Sequence, residues 1–227
     1  MDVVVVTGAS RGLGRFCAQS LHDSGYRVVG LGRSAVTDAP FEMRSANVAD
    51  PISVAEALGD LRRDPSVYAL INAAGIASMN LVVTTPAATA RRIVETNLLG
   101  TIYCCQQIAP ALIKRGGGRI VNFSTLGVQL AIKGEAIYIA SKAGVEAFSR
   151  TFAREMAPYG VTVNTVAPGP IDTALLAKVP KANVDEVVRR QIVPRQAEPV
   201  DVWNIVSMLL APESSMLSGE TLHVGGA

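Results

Sequence analysis

A tyrosine and a lysine four residues apart could form a proton-transfer pair in this chain. Tyr138 and Lys142 have this spacing, and side chains four apart share one face of a helix. A free tyrosine has a pKa near ~10, and a cation about 4–6 Å away favours the phenolate. Lys142 would therefore bring the Tyr138 phenol closer to the pKa of a working general acid and base. Because such pairs are common on solvated helix surfaces, the hypothesis needs support from other residues.

A glycine-rich turn near the amino terminus has the composition of a phosphate-binding loop. Residues 7–14 read Thr-Gly-Ala-Ser-Arg-Gly-Leu-Gly and lie between a valine run and a helical pattern. Gly8 allows a tight turn, while Gly12 and Gly14 remove side chains so that a pyrophosphate can approach backbone N–H groups at a helix start. The spacing differs from that of a P-loop, since no Lys-Ser or Lys-Thr pair follows. The turn predicts dinucleotide binding, with a purely structural turn as the alternative.

The residues after the second apolar run favour NADP(H) over NAD(H). An NAD enzyme places an acidic residue there to accept a hydrogen bond from the ribose 2′-hydroxyl, but this run ends Gly32-Arg33-Ser34. Arg33 and Ser34, together with Arg11 of the glycine turn, offer donors suited to a 2′-phosphate. The alternative interpretation of Arg33 is a solvated surface arginine.

Short β-branched runs alternate with longer helical patterns, which is typical of a parallel sheet covered by helices on both faces. The strand runs are 3–6, 27–32, 41–48, 68–71, 119–123, 161–166 and 221–224, and the helical windows are 12–24, 51–63, 86–114, 136–157 and 199–210. This pattern predicts one doubly wound, Rossmann-type α/β domain over residues 1–227. Its mostly parallel seven-stranded sheet would have the order 3-2-1-4-5-6-7, with ligands at the carboxyl ends of the strands. The proline-bracketed segment at about 174–199 is predicted to be a lid on the substrate side.

Composition narrows the class of function. The 227 residues are 49% hydrophobic, enough for a core that needs neither disulfides nor a structural metal. Twenty-one basic and 19 acidic residues give a net charge of +2, so charge favours neither nucleic acid nor a membrane surface as a partner, and a small molecule is expected. The two histidines have no metal-ligand spacing, so no metal is expected.

The cysteines and the chain start indicate a reducing compartment. Cys17, Cys104 and Cys105 lack the CxxC spacing of a redox or zinc site and are predicted to be buried thiols. No apolar run approaches the roughly 20 residues that span a bilayer, and no basic leader precedes an apolar stretch. We therefore expect a cytoplasmic protein.

Further short motifs follow the later strand runs. Residues 72–75 read Asn-Ala-Ala-Gly after the fourth run, Ser124-Thr125 follows the fifth, and residues 168–170 read Pro-Gly-Pro after the sixth, while Asn97 lies in the helical window between. With the glycine turn and the Tyr138–Lys142 pair, these motifs occur in an order that resembles the short-chain dehydrogenase/reductase family over essentially the whole chain.

The resemblance implies a role for each matching residue. Tyr138 would be the general acid/base, Lys142 its partner and a ribose ligand, and Asn97 the holder of a proton-relay water. Asn47 stands where the family has Asp, and Ala73 replaces the second Asn of the family's Asn-Asn-Ala-Gly motif. The cofactor would be surrounded by Gly8, Ser10, Arg11, Gly12, Leu13 and Gly14, by Asn47 and Val48 at the adenine, by Asn72, Ala73, Ala74 and Gly75 near the adenosine ribose, and by Pro168, Gly169, Ile171 and Thr173 at the nicotinamide.

Two hydroxyls compete for the role of polarising the substrate carbonyl. Ser124 fits the family's Ser-x-x-Gly ending through Gly127, but it lies 14 residues before Tyr138 rather than the usual 13. Thr125 lies the usual 13 residues before Tyr138, but Gly127 is then one position closer than in the Ser-x-x-Gly pattern. Residue type favours Ser124, and both remain candidates.

The resemblance implies an NADP(H)-dependent oxidoreductase that interconverts a ketone or aldehyde and an alcohol, closest in its motifs to reductases of 3-oxoacyl thioesters. Tyr159 stands where those reductases tend to carry a basic residue for docking acyl carrier protein, which leaves Lys114 and Arg115 as docking cations. The alternatives are a reductase of a sugar, steroid or secondary-metabolite carbonyl, and a non-catalytic NADP(H)-binding regulator. A homotetramer or homodimer through the helices at 86–114 and 136–157 is also implied.

Overall fold

The computed structural model describes residues 1–34, 38–173, 176 and 179–227. Within this part of the chain, seven strands form one sheet in the order β3-β2-β1-β4-β5-β6-β7. Every pair of neighbouring strands is parallel, including the last, so the predicted order is confirmed and the sheet is parallel throughout. The strands are β1 (Val3–Thr7), β2 (Arg27–Gly32), β3 (Glu42–Ser45), β4 (Val67–Asn72), β5 (Gly118–Phe123), β6 (Val161–Pro168) and β7 (Thr221–Val224).

Helices connect the strands. They are α1 (Gly12–Asp23), α2 (Pro51–Leu58), α3 (Ala87–Val94), α4 (Gly100–Arg115), α5 (Gly127–Leu130), α6 (Ala136–Met156), α7 (Lys181–Arg190) and α8 (Pro199–Leu210). The helical window predicted at 86–114 is not one regular helix, because a π-helical turn at Glu95–Leu99 separates α3 from α4. Such turns widen the backbone locally, and this one carries Asn97.

The two faces of the sheet bury two apolar layers. Val3 and Val5 of β1 pack with residues of α2, α4 and α6, whereas Val4 and Val6 pack with residues of α1 and α8. All four valines are buried because side chains alternate between the two faces and both faces are covered. The three cysteines are buried as predicted: burial raises the pKa of the Cys17 and Cys104 thiols to about 12, and raises that of Cys105 as well.

The predicted lid is described in part. Residues 174, 175, 177 and 178 lie outside the described residues, whereas α7 and the segment leading to α8 are described. Val184 and Val187 of α7 line the cleft discussed below. In the described chain, no helix combines the length and the apolar character needed to cross a bilayer.

The turn between β1 and α1 depends on glycine packing. Gly8 has a φ of +71°, and a Cβ there would lie 2.9 Å from the Cα of Ala74. A Cβ on Gly14 would lie only 2.4 Å from the carbonyl oxygen of Gly8. Position 14 therefore requires glycine because α1 packs closely on the turn, whereas the sequence suggested that a pyrophosphate approaches there. Gly12 faces open space, since the nearest atom to a Cβ there would be 3.9 Å away on Thr173.

We expect Gly14→Ala to lower the free energy of unfolding by about 1–3 kcal/mol, because the new methyl overlaps a backbone carbonyl that cannot move aside. Gly144→Ala is the matched control, since Gly144 also lies in a helix and its Cβ would meet only the flexible end of Leu98, at 3.0 Å. There the better helix propensity of alanine, worth up to about 1 kcal/mol, should offset the contact. Denaturant unfolding measures both variants. Equal stability of Gly14→Ala and the wild type would contradict the packing role.

Candidate active site

A cleft of about 880 Å³ opens at the carboxyl ends of the strands, where a doubly wound sheet binds its ligands. Ser34, Asn72 and Asn97 do not line it. The sequence-predicted residues that line it are Gly8, Ser10, Arg11, Gly12, Leu13, Gly14, Arg33, Asn47, Val48, Ala73, Ala74, Gly75, Ser124, Thr125, Tyr138, Lys142, Pro168, Gly169, Ile171 and Thr173. A smaller pocket of about 280 Å³ near Met1 and Phe41 contains no predicted site residue.

One end of the cleft has the features of a phosphate site. The first turn of α1 faces it, and helix N-termini favour anions because their N–H groups are unpaired. Gly32 lets the glycine turn approach β2, since a Cβ there would lie 3.1 Å from the Cβ of Ser10. This approach brings the exposed residues Arg11 and Arg33 to the same corner of the cleft. Among the described residues, neither arginine forms an ion pair with a carboxylate.

Asn72 lies beneath the cleft instead of lining it. Its side chain is buried, and Nδ2 donates to Oδ1 of Asn122 at 2.8 Å and to Sγ of Cys105 at 3.4 Å. Asn122 in turn donates to Oγ of Ser149 on α6 at 2.8 Å. The side chain of Asn72 therefore joins β4 to β5 inside the core, as expected for a residue that supports the sheet, and its contact with the cofactor ribose stays a prediction.

The other end of the cleft holds Tyr138 and Lys142. Both lie on α6 and are buried, with 9% and 5% of their surfaces exposed. Nζ of Lys142 donates to the carbonyl oxygen of Phe123, the last residue of β5, at 2.7 Å. The loop after β5 is held by β6, because the backbone N–H groups of Ser124 and Leu126 donate to the carbonyls of Val166 (2.8 Å) and Pro168 (2.9 Å). These hydrogen bonds fix the position of α6 relative to the loop after β5.

Burial is the largest influence on the pKa values of Tyr138 and Lys142. It raises the pKa of Tyr138 above its ordinary value, the nearby Glu135 carboxylate raises it further, and a side-chain hydrogen bond with Thr125 acts in the opposite direction. Burial also lowers the pKa of Lys142 to about 8. The expectation that Lys142 brings the Tyr138 pKa down is therefore not met in the protein alone, because desolvation disfavours the charged form of each group.

The two candidate hydroxyls have different surroundings. Oγ of Ser124 donates to Oε1 of the buried Glu146 at 2.5 Å. Thr125 lies close enough to the Tyr138 phenol for its side chain to lower the pKa of that group, and its Oγ1 accepts from the backbone N–H of Gly127 at 3.2 Å. The Thr125 hydroxyl is therefore the one beside the Tyr138 phenol, while that of Ser124 is committed to a carboxylate in the core.

Asn97 holds the loop after β4 against α6. Its Oδ1 accepts from the backbone N–H of Ile76 at 2.8 Å, and its Nδ2 donates to the Ile76 carbonyl at 2.9 Å and to Oγ of Ser141 at 3.0 Å. The Ser141 hydroxyl donates to the backbone carbonyl of Tyr138 at 2.6 Å. A Cβ on Gly75 would lie 3.4 Å from Oδ1 of Asn97 and 3.5 Å from Nζ of Lys142, so Gly75 lies between the two polar groups. The π-helical turn thus places Asn97 as a positioning residue, and its predicted contact with a water stays a prediction.

Sequence reasoning missed two buried polar residues of this region. Glu135 is 6% exposed, lines the cleft and has its pKa raised to about 7 by burial. Its position three residues before Tyr138, directly before α6, was the available signal. Gln191 fills the space left by Gly169, where a Cβ would lie 2.0 Å from Oε1, and its Nε2 donates to the carbonyls of Val193 (3.1 Å) and Arg195 (2.9 Å). No sequence signal identified this contact, because Gly169 and Gln191 are far apart in the chain.

Comparisons with known proteins agree with this fold. Residues 8–226 match the family model described as Enoyl-(Acyl carrier protein) reductase. The 3-oxoacyl-(acyl-carrier-protein) reductase of Escherichia coli is 34% identical over 233 residues, which cover 99% of this chain and 96% of that protein. The reductase of the same name from Staphylococcus epidermidis is 32% identical, covering 98% of this chain and 96% of the other. The structure of ligand-free aldohexose dehydrogenase from Thermoplasma acidophilum matches with a TM-score of 0.90 at 28% identity, covering 99% of this chain and 93% of that one.

The chain therefore belongs to the short-chain dehydrogenase/reductase family and is an oxidoreductase of that family, as the resemblance in its motifs indicated.

The buried ammonium of Lys142 should cost stability at neutral pH. Because its pKa is lowered to about 8 in the folded protein, from an ordinary 10.5, the folded state holds a desolvated cation below pH about 8. We expect Lys142→Met to raise the free energy of unfolding at pH 7. The gain should shrink as the pH rises from about 8 to about 10.5, where folded Lys142 is neutral while the unfolded chain still binds the proton.

Denaturant unfolding at a series of pH values measures this gain. Exposed Lys133→Met is the matched control and should change stability little at any pH. A Lys142→Met variant less stable than the wild type at pH 7 would show that the ammonium stabilises the fold.

Proposed function

We propose that this protein is an NADP(H)-dependent oxidoreductase that interconverts a ketone or aldehyde and an alcohol, with Tyr138 as the general acid/base. One observation carries the proposal: the buried Tyr138 phenol lies beside the Thr125 hydroxyl in the same cleft as the exposed Arg11 and Arg33. The cleft thus combines a proton donor at one end with cations suited to a phosphate at the other.

The described residues fit the cofactor. The first turn of α1 supplies unpaired N–H groups, and Gly12 leaves the approach to them open. Arg11 and Arg33 would bind the 2′-phosphate, and in the described chain no carboxylate stands at that corner to prefer an unphosphorylated ribose. When bound, the cofactor would supply hydride transfer and, in its oxidised form, a positive charge near the phenol.

The chain's own residues account for the rest of a reduction. Thr125 and Tyr138 would both donate hydrogen bonds to the substrate carbonyl oxygen, where negative charge develops as the carbonyl carbon is reduced. Tyr138 would then give its proton to that oxygen, so the carbonyl gains one hydride and one proton. Lys142 would bind the cofactor ribose and favour the return of a proton to Tyr138. Asn97 acts through position, by holding α6 and the loop after β4 together.

We propose Thr125 as the carbonyl-polarising hydroxyl, in place of the Ser124 that residue type favoured. The Ser124 hydroxyl donates to Glu146, and losing that bond would leave a buried carboxyl group without its donor. Ser124 therefore supports the fold of the loop, while Thr125 supports the reaction.

The substrate is either a 3-oxoacyl thioester, as the names of the similar bacterial reductases suggest, or another small carbonyl compound. The predicted docking cations do not border the cleft. Arg115 pairs with Asp2 at 2.9 Å, and Lys114 donates to the carbonyl of Arg63 at 3.0 Å. Since Asp2 precedes β1 and Arg63 precedes β4, both cations lie at the amino edge of the sheet, opposite the cleft. This placement favours a small carbonyl compound over a substrate carried by a docked protein.

We also propose a homotetramer or homodimer through the outer faces of α4 and α6. The stacked rings of Phe148 and Phe152 on α6, with centroids 5.2 Å apart, are half-buried and would gain burial in such a contact. Cys104 and Cys105 would take no part, because both are fully buried within the chain. Light scattering of the purified protein measures the mass, and a monomer would contradict the assembly.

Oxidation of NADPH in the presence of a panel of ketones, aldehydes and a 3-oxoacyl thioester tests the proposed function. We expect turnover with at least one carbonyl compound, and its loss in Tyr138→Phe with little change in NADPH affinity. Tight NADPH binding without turnover on any compound would favour the non-catalytic regulator. Full activity of Tyr138→Phe would overturn the assigned acid.

Thr125→Ala should lower kcat by about 10²–10³-fold, since one donor to the developing oxyanion is lost. Thr125→Ser should restore most of the activity. Ser124→Ala is the matched control: it should keep most of its turnover but lose about 1–3 kcal/mol of stability, because Glu146 is left without its donor. A larger loss of kcat in Ser124→Ala than in Thr125→Ala would reverse the assignment.

Arg33→Ala should raise the Kd for NADPH about 10-fold or more, with a much smaller change for NADH, because a hydrogen bond to a charged phosphate is lost. Fluorescence titration with both cofactors measures this. Exposed Arg62→Ala, remote from the cleft, should change neither Kd. Equal losses for the two cofactors would refute the preference for NADP(H).

A further inference from the structure

The carboxyl group of Glu135 lies beside the proposed reaction centre and has no role in the steps above. Glu135 is 6% exposed, lines the cleft and immediately precedes α6. The point that a Cβ on Gly127 would occupy is 3.4 Å from Oε2 of Glu135 and also 3.4 Å from Oγ1 of Thr125. The carboxyl and the proposed polarising hydroxyl thus flank one small space above Gly127.

No described residue satisfies this carboxyl group. None of the side-chain hydrogen bonds or ion pairs in the described chain involves it. Burial is the sole cause that raises its pKa to about 7, with no cation acting against that rise. Of the basic residues that line the cleft near it, Lys142 donates to the carbonyl of Phe123 and Arg190 to that of Leu130, and the side chain of Lys133 is exposed and does not act on the pKa of Glu135.

The carboxyl group is largely buried, has no protein donor and borders the cleft, so a ligand that offers a donor at this place would satisfy it. Glu135 is also close enough to Tyr138 for its charge to raise the pKa of the phenol. The group that Glu135 binds would therefore lie near the reacting carbonyl.

We propose that Glu135 is a specificity-determining residue that accepts a hydrogen bond from a hydroxyl or ammonium group next to the substrate carbonyl. This inference rests on the proposed carbonyl/alcohol oxidoreduction and names its substrate class: hydroxy- or amino-substituted carbonyl compounds. A simple ketone leaves the carboxyl unpaired, and a negatively charged substituent at the same place is repelled by it.

Initial rates of NADPH oxidation with hydroxybutanone, aminobutanone and butanone test this at a pH where Glu135 is ionised. We expect the wild type to prefer hydroxybutanone or aminobutanone over butanone by about 10–100-fold in kcat/KM, as for a hydrogen bond to a charged group. The two donor-bearing ketones distinguish a hydroxyl ligand from an ammonium ligand.

Glu135→Leu should bring the preference to within a few-fold, because hydroxybutanone and aminobutanone then lose their acceptor and butanone has none to lose. Glu135→Gln should reduce the preference less, because the amide oxygen still accepts. Glu186→Gln is the matched control, since Glu186 also lines the cleft but is exposed on α7. The substrate preference of this variant should equal that of the wild type. NADPH affinity, measured for each variant, shows that the cleft is folded.

The outcomes separate the two proposals. Reduction of all three ketones without a preference, a preference retained in Glu135→Leu, or faster reduction of a 3-oxoacyl thioester than of either donor-bearing ketone overturns the role of Glu135 while leaving the oxidoreductase intact. A wild type that reduces no carbonyl compound overturns the proposed function, and this inference with it.

Discussion

The site depends on the burial of two ionisable groups in one place. Tyr138 and Lys142 are held by α6 against the loop after β5, where little water reaches them. Burial alone opposes the charged form of each, which keeps the phenol protonated and makes the ammonium easier to deprotonate. A protonated phenol is the form that donates to a carbonyl. The same burial means that a phenolate, which the proposed reaction would need in the reverse direction, requires additional positive charge in the cleft.

The parallel sheet brings the other residues of the cleft to the same place as Tyr138 and Lys142. Parallel strands end at one edge, so the loops after β1, β4, β5 and β6 meet there although they are distant in sequence. Buried hydrogen bonds fix those loops to one another: Asn97 joins the loop after β4 to α6, and Ser124 joins the loop after β5 to Glu146. Their separation along the cleft keeps the cations near α1 apart from the low-dielectric region around Tyr138.

Much of this arrangement could be predicted from the sequence, because strands buried on both faces, such as Val3–Thr7, read as continuous apolar runs. The Tyr138–Lys142 pair was visible because one helix carries both. The π-helical turn and the contact of Gln191 with Gly169 were not, since each depends on packing between distant segments. The choice between Ser124 and Thr125 depended on which direction each side chain takes, and spacing does not determine that direction.

The pKa of the Tyr138 phenol shows how strongly burial disfavours the phenolate and how far a bound cofactor offsets it. It can be measured as the difference in ultraviolet absorbance between the wild type and Tyr138→Phe during a pH titration, first in the free protein and then with saturating NADP⁺. We expect a pKa above the ordinary value of about 10 in the free protein and a clear decrease with NADP⁺ bound. A pKa at or below the ordinary value in the free protein, or one that NADP⁺ leaves unchanged, would contradict this expectation.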